Sequence, residues 1–473
     1  MTGEQELLSR FDDFPNLRLF LQTHYPVIRL GNSLSKKTVY LLLLTFTVFL
    51  IFQTGEWGFL LIPYFLLLWE KKHFDVCLIS HLFLLVADNH DAHWLDFINN
   101  LKVISLVTLS LLLLYSELKD WQGWQTIFSK QKVLLYFLPF LLTALLTTFS
   151  SEFWQVGSQK LIAYGLSLWL IPPLFQLAYQ KNRERVIQLI IGFIAFVLLF
   201  GLVLQFFDSN LTHTVSRFRG LTRPPRFNGI FANPNGLAIF GMLSFVLAFV
   251  SFQKNRNIFK NWVWGLIFGI MLFSVFQTRS RTEFLSLTGF LFVWRFPKVS
   301  LFVIPIGILG IAFFREEVLI LASETIYFLH LEDILRPETL TIGGGRFHAY
   351  ELAWNEIHHS LFFGEGWGLS HQLMITNGSK LKKLGHYGNL HQSYLTVLLN
   401  TGLVGLLAFL AGWSQLFFQS AKENWRLGFA VLVAVAVSTS LESWLVSAIN
   451  PFTSLLLILL QIIQNPQEHA HQE

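Results

Sequence analysis

The chain has 473 residues, of which 53% are hydrophobic and only 13% charged, and its mean hydropathy is +0.52. Soluble domains are about 25% charged, so this composition excludes an ordinary soluble protein and predicts a polytopic membrane protein. The net charge is +5, and we expect no nucleic-acid partner. The single cysteine, Cys77, excludes an intramolecular disulfide bond.

The succession of apolar runs along the chain predicts an all-α integral membrane protein with 12 to 14 transmembrane helices. Residues 1–38 are polar and basic, which predicts a cytoplasmic N-terminal segment without a cleavable signal sequence. We expect a transmembrane bundle over 39–314, one large and partly helical loop over 315–390, C-terminal transmembrane helices over 391–464, and a tail over 465–473. Several apolar runs are shorter than the roughly 20 residues that cross the hydrocarbon core. The predicted spans are 39–54, 57–69, 74–88, 101–117, 133–150, 160–180, 186–207, 229–252, 262–277, 282–294, 299–314, 391–418, 428–445 and 451–464.

Positive charge falls on alternate loops. The basic runs are Lys71–Lys72, KNRER at 181–185, KNRNIFK at 254–260 and KENWR at 422–426. The positive-inside rule assigns these loops to the cytoplasm. We therefore predict that both termini are cytoplasmic and that the 315–390 loop lies on the outer face.

Two short outer loops, 208–228 and the turn QTRSRTE, break this charge rule and carry arginine but no lysine. The planar guanidinium suits bidentate contacts to phosphate, which favours a phosphate-binding site. The alternatives are anchoring to lipid headgroups or pairing with Asp208 and Glu283. The misplaced side chains are Arg217, Arg219, Arg223, Arg226, Arg279 and Arg281.

The segment FNGIFANPNGLAIF at 227–240 places Asn233, Pro234, Asn235 and Gly236 at a helix entrance. Proline and glycine are tolerated in a span where the backbone lines a cavity or finds other partners. The segment therefore indicates either a cavity wall or simply a kinked helix start.

The large loop contains GGGRFHAYELAWNEIHHSLFFGEGWG, which predicts a helix over 344–360 and a tight turn over 364–368. Spacing by four places Arg346, Tyr350, Trp354 and His358 on one helix face. Arg346 is either a pyrophosphate ligand near a helix N-terminus or a solvated helix charge. The aromatic side chains either stack on sugar rings or pack the loop on the bundle; they are Tyr350, Trp354 and Trp367.

His391 opens the segment HQSYLTVLLNTGLVG, where a polar connector meets a span. A neutral imidazole there would accept a proton from an attacking hydroxyl; the alternative is an interfacial histidine bonded to backbone. The other histidines of the loop lack HxxxH spacing. The acidic run DNHDAHWLD at 88–96 is typical of a solvated loop, and the alternative is a divalent-cation site for phosphate chemistry. We expect no metal site and no cofactor. The histidines concerned are His358, His359, His371 and His386.

Over residues 185–415, these segments in this order resemble the O-antigen ligase and polymerase superfamily of bacterial inner-membrane glycosyltransferases. The resemblance implies a GT-C-like bundle with a periplasmic active site and metal-independent transfer of a saccharide from undecaprenyl pyrophosphate to a sugar hydroxyl. It implies catalytic roles for Arg281, Arg346 and His391. The expected substrate-binding residues are Arg226, Arg223, Arg279, Tyr350 and Trp354.

Three acceptors remain open at this point: lipid A–core for a ligase, another lipid-linked repeat unit for a polymerase, and a protein serine or threonine for an O-oligosaccharyltransferase. The partners expected are therefore a lipid-linked donor, a glycan or protein acceptor, and membrane lipids. A small-anion or bicarbonate transporter is an alternative from another class, but it should carry polar residues near the midplane of its spans. The predicted spans are nearly free of such residues, and a structural scaffold leaves the misplaced arginines unexplained.

Overall fold

The computed structural model describes residues 47, 56–90, 97–119, 132–214, 217–218, 221–222, 225–328, 346–383 and 388–465. The chain divides into two compact units, residues 1–67 and residues 68–473. Near the start of the described chain, a 3-10 turn at Trp57–Leu60 leads into α1, Leu61–Glu70. The predicted span at 39–54 and the predicted tail lie almost wholly outside the described residues.

The rest of the described chain is built from helices, which confirms the all-α integral membrane class. Before the 208–228 loop the helices are α2 (Phe74–Ala87), α3 (Phe97–Lys119), α4 (Lys132–Phe149), α5 (Trp154–Lys181) and α6 (Arg183–Phe207), followed by the single turn α7 (Ser209–Thr212). After it come α8 (Pro234–Lys254), α9 (Asn261–Gln277), α10 (Arg281–Arg295), α11 (Pro297–Phe313) and α12 (Arg315–Phe328). The last group is α13 (Arg346–Ile357), α14 (Leu369–Thr376), α15 (Gly378–Lys383), α16 (Ser393–Glu423), α17 (Trp425–Leu441) and α18 (Pro451–Gln464).

Within the described ranges, six helices are long and apolar enough to cross a membrane: α3, α4, α5, α6, α8 and α16. Several other apolar helices have 10 to 17 residues, among them α2, α9, α17 and α18. The short ones match the short apolar runs of the sequence, so the total of 12 to 14 spans stays a prediction. The helix over 344–360 is observed as Arg346–Ile357, which leaves His358 one residue beyond its end.

The 208–228 loop contains secondary structure that hydropathy did not predict. Strand β1 (His213–Thr214) pairs antiparallel with β4 (Arg226–Phe227), and β2 (Arg217–Phe218) pairs with β3 (Leu221–Thr222). Two-residue ladders are too short to produce an alternating pattern in sequence. The outer pair fixes the backbone of Arg226 just before α8, whereas Arg219 and Arg223 lie outside the described residues.

Asparagine followed by proline begins two buried helices. Asn233 caps α8 by accepting from the amide of Asn235, and Asn450 caps α18 by accepting from the amide of Thr453. Proline at the first helical position costs no hydrogen bond, because that amide has no partner within the helix. The helix-start interpretation of the Asn233–Gly236 segment is thus confirmed, although Asn235 also has a second role described below.

Helices α8 and α18 lie at the centre of the packing, and α18 is buried from Pro451 to Ile463. Helix α8 packs against α9, α10 and α18; α10 packs along α17, and α16 packs against α4 and α17. Side-chain contacts from Asn235, Glu283 and Ser393 all reach the last residues of α17 or Glu442. The N-termini of α8, α10 and α16 therefore lie beside the C-terminus of α17.

Helix α16 is broken at Gly402, where φ is 64° and ψ is −169°. The turn that precedes α14 enters this break: the amides of Leu403 and Val404 donate to the carbonyls of Leu361 and Phe362 at 2.8 and 3.1 Å. Broken helices in membrane proteins need such external partners for their backbone groups. The predicted tight turn at 364–368 is confirmed, and it is bonded to the bundle through the kink.

Candidate active site

A buried carboxylate, Glu442, connects the residues of the site. Its Oε1 accepts from Nη2 of Arg346 at 2.7 Å and from Nδ2 of Asn235 at 2.8 Å, and its Oε2 lies 2.9 Å from Nδ1 of His391. Its backbone carbonyl accepts from the hydroxyl of Ser393 at 2.9 Å. One acidic residue thus joins the starts of α8, α13 and α16 to the end of α17.

His391 lies two residues before α16, with φ at 53°. A non-glycine residue in this left-handed region is uncommon and marks a position held by its surroundings. The surroundings here are Glu442 on the imidazole and the hydroxyl of Tyr350, which donates to the backbone carbonyl of His391 at 3.3 Å. Gln392 does not orient the imidazole in the described structure; its side chain caps α16 by accepting from the amide of Leu395.

The charge state of Glu442 determines what His391 does. Glu442 accepts hydrogen bonds from Arg346, Asn235 and His391, and its ion pair with Arg346 favours the ionised carboxylate. An ionised carboxylate only accepts hydrogen bonds, so Nδ1 of His391 carries the proton of this contact. In a neutral imidazole the other nitrogen, Nε2, is then an acceptor.

Arg346 is the first residue of α13 and is not a solvated helix charge. Besides its ion pair with Glu442, its Nη1 donates to the backbone carbonyl of Leu441 at 2.8 Å. These two contacts occupy two of the five N–H donors of a guanidinium. Its side chain remains 23% exposed, so it is accessible to a ligand.

Arg226 connects the start of α8 to the turn before α10. Its Nη2 donates to Oδ1 of Asn235 at 2.8 Å, and its Nε donates to the backbone carbonyl of Thr278 at 2.8 Å. Because Asn235 also donates to Glu442, a continuous chain of hydrogen bonds runs from Arg226 to His391. The sequence-predicted residues Arg226, Arg346 and His391 are therefore brought together in one cluster.

The predicted Arg279 and Arg281 lie on the turn that Arg226 contacts. Arg279 has φ of 52°, the same unusual region as His391, and Arg281 is the first residue of α10. Two residues further on, the buried carboxylate of Glu283 accepts from the hydroxyl of Ser438 at 2.8 Å. Ser438 lies on the last turn of α17, four residues before Glu442, so Arg281 begins a helix that reaches the same end of the site.

Tyr350 and Trp354 line a groove of about 400 Å³ beside the cluster, together with Glu351, Gln392, Leu395 and Ser440. Trp354 is 49% exposed there, which fits a surface that contacts a ligand. Trp367 differs, because the structure supports the alternative that its ring packs the loop on the bundle. It is 4% exposed, and its ring packs against Phe140 with centroids 5.3 Å apart.

Sequence reasoning missed Glu442 and assigned no role to the side chain of Asn235. Glu442 follows an apolar run and lies 51 residues from His391 and 96 from Arg346 along the chain. An ionisable residue inside a predicted span (428–445) is a sign of function, and this sign was present in the sequence. Arg223 lies outside the described residues, and the side chains of Arg217 and Arg219 are likewise not described.

A family model described as O-antigen ligase matches residues 233–410. The match begins at the Asn233 cap of α8 and ends within α16, so it includes Arg281, Arg346 and His391 and stops before Glu442. A search of curated proteins returns no match.

Proposed function

Because residues 233–410 match the O-antigen ligase family model, we propose that the chain is a membrane glycosyltransferase of that superfamily and transfers a saccharide from undecaprenyl pyrophosphate to a hydroxyl of a glycan acceptor. The reaction takes place on the periplasmic face of a bacterial inner membrane. The observation that supports this most directly is the contact of Glu442 with both His391 and Arg346. In this proposal, the two partners of that carboxylate are the general base and a phosphate-binding cation.

His391 is the general base. Glu442 orients the imidazole through Nδ1, so that Nε2 accepts the proton of the acceptor hydroxyl, and the carboxylate stabilises the imidazolium that forms. This is the division of labour in carboxylate–histidine pairs of hydrolases. General-base catalysis of this kind contributes about 10²–10⁴-fold to rate.

Arg346 and Arg281 bind the pyrophosphate. As the acceptor oxygen attacks the anomeric carbon, the bond from that carbon to the pyrophosphate oxygen breaks, and its electron pair leaves with the pyrophosphate. Preorganised cations at the leaving group stabilise this developing charge. The N-termini of α8, α10, α13 and α16 add favourable backbone dipoles, and the proton on His391 is finally released to water or to the leaving group.

Arg226 and Arg279 support the donor site from the side of the turn before α10. The contact of Arg226 with Thr278 holds that turn, so Arg226 positions Arg279 and Arg281 as well as adding charge. Tyr350 and Trp354 provide an apolar ring surface on which a sugar stacks.

The test is transfer by purified protein from a synthetic polyprenyl-pyrophosphate saccharide. The His391→Ala variant should lose transfer by at least about 10²-fold, while His359→Ala, an exposed histidine beyond the end of α13, should retain it. The arginines supply the positive charge of this mechanism, so a chelator should leave the rate unchanged. Near-normal turnover by His391→Ala would refute the assignment.

Ligase, polymerase and protein O-oligosaccharyltransferase share this site chemistry and differ in acceptor. In a deletion strain, loss of all long-chain bands with accumulation of lipid-linked polymer identifies a ligase. A cap of a single repeat unit identifies a polymerase. Loss of glycan from proteins alone identifies the third activity.

A further inference from the structure

A second cavity, of about 740 Å³, lies beside the His391–Glu442 pair. Leu390 and Ser443, the sequence neighbours of His391 and Glu442, form part of its wall. We call it the lysine cavity, because its side chains include Lys102 of α3 and Lys160 of α5. Nothing in the proposed mechanism uses it.

The lysine cavity changes from polar to apolar along its two bundle helices. On α3 the lining runs from Lys102 near the helix start to Val107, and on α5 from Lys160 near the helix start to Leu166. At 1.5 Å rise per residue, each apolar wall extends roughly 8–9 Å beyond its lysine. The cavity therefore has the polarity of an amphiphile, with its charged end at the start of both helices.

The apolar wall is formed by accessible side chains. Val103 and Val107 are each 40% exposed and Ile162 is 57% exposed, although all three line the cavity. The cavity therefore offers accessible aliphatic surface to the hydrocarbon part of a ligand.

The polar end carries positive charge, and none of the described residues that line it is acidic. In the part of the chain that the structure describes, Lys102 pairs with Asp88 outside the lining, whereas no ion pair is formed by Lys160. A partly buried lysine without a counter-ion is costly and points to a ligand. His371 lies across from Lys160, and burial together with that charge holds the pKa of His371 below its usual value.

We propose that the lysine cavity binds the phosphate headgroup and first hydrocarbon segment of a lipid-anchored substrate, with Lys160 as the main headgroup contact. Polar groups of Gln159, Ser370, Asn389 and Asn400 surround the headgroup. Since Arg346 and Arg281 bind the donor, the lysine cavity holds the second substrate, the acceptor. This last step rests on the proposed function; binding of the amphiphile does not.

Binding is measured without turnover, by native mass spectrometry of the full-length protein in a neutral maltoside detergent. The probes are farnesyl pyrophosphate, a monophosphorylated lipid A and inorganic phosphate. The detergent is itself a neutral amphiphile and is present in large excess, so it competes for the apolar part of the cavity. A probe that is retained under these conditions is therefore bound through its charged headgroup. The Arg346→Gln variant separates binding at the donor site from binding in the lysine cavity.

At least one of the two lipid probes should bind Lys160→Gln about tenfold more weakly than the wild type, as expected for loss of one charged hydrogen bond. Lys160→Arg should bind within about twofold of the wild type, which shows that charge rather than folding is responsible. Lys380→Gln, an exposed lysine of α15 outside the cavity, should have no effect. A preference for farnesyl pyrophosphate identifies a prenyl-linked ligand, and one for lipid A identifies an acylated glycolipid.

Equal binding of both lipid probes by wild type and Lys160→Gln would overturn the proposal, as would binding of inorganic phosphate as tight as that of the lipids. These results are separable from the proposed function. Binding that requires Lys160, with transfer that survives His391→Ala, refutes only the catalytic assignment. Binding that ignores Lys160, with transfer lost in His391→Ala, refutes only the cavity.

Discussion

Replacing Glu442 by glutamine tests the central contact of the site with little change in volume. Glutamine retains one oxygen, which still accepts from either Arg346 or Asn235, but its amide group is a donor and cannot accept from Nδ1 of His391. The imidazole then rotates or adopts the other tautomer, with the proton on Nε2. In that form His391 no longer accepts the proton of the acceptor hydroxyl.

The size of the effect follows from the three contacts that Glu442 makes at 2.7 to 2.9 Å. The contacts to Arg346 and His391 are charge-assisted, and such hydrogen bonds contribute about 1.5–3 kcal/mol each. Loss of the correct tautomer removes most of the general-base contribution, so we expect turnover to fall by about 10²–10⁴-fold. The effect on turnover should exceed the effect on binding of the donor.

The assay is single-turnover transfer by purified Glu442→Gln, with KM for the donor measured separately. Glu356→Gln makes the same chemical change on α13, away from the cluster, and should behave as wild type. Glu442→Asp retains the charge but shortens the side chain, so its turnover should lie between that of Glu442→Gln and that of the wild type. Turnover by Glu442→Gln within about threefold of the wild type, in protein of normal melting temperature, would refute the role of Glu442 in orienting His391.

Two further predictions concern the kink and the groove. Gly402→Ala should lower the free energy of unfolding by about 2 kcal/mol or more, because an added Cβ would lie 2.3 Å from the backbone of Phe362. The control is Gly265→Ala, where an added Cβ meets nothing within 4 Å. Equal melting temperatures of the two variants would contradict the packing at the kink. Trp354→Ala should raise KM for the saccharide about fivefold, equivalent to about 1 kcal/mol of ring stacking, and an unchanged KM would remove the groove from the substrate path.

Local patterns in the sequence were sufficient for the membrane class, for most helix positions and for three members of the site. Hydropathy locates a span because every residue of the span contributes, and the predicted 451–464 coincides with α18. Arg346 and His391 were found because each lies at a boundary that local composition marks, after glycines in one case and before an apolar run in the other. Arg226 was found because positive charge in a short outer loop is unusual.

The contacts among these residues were decided only by the tertiary structure. Glu442 joins Asn235, 207 residues away along the chain, to Arg346 and His391. No local pattern encodes a contact at that separation, because it depends on how α8, α10, α16 and α17 pack. The same packing buries Trp367 against Phe140, which sequence alone treated as a sugar-stacking candidate. Composition and periodicity thus determined which segments are helices in a membrane. The packing of those helices determined which charged groups meet, because a buried carboxylate keeps its charge only where other elements bring it partners.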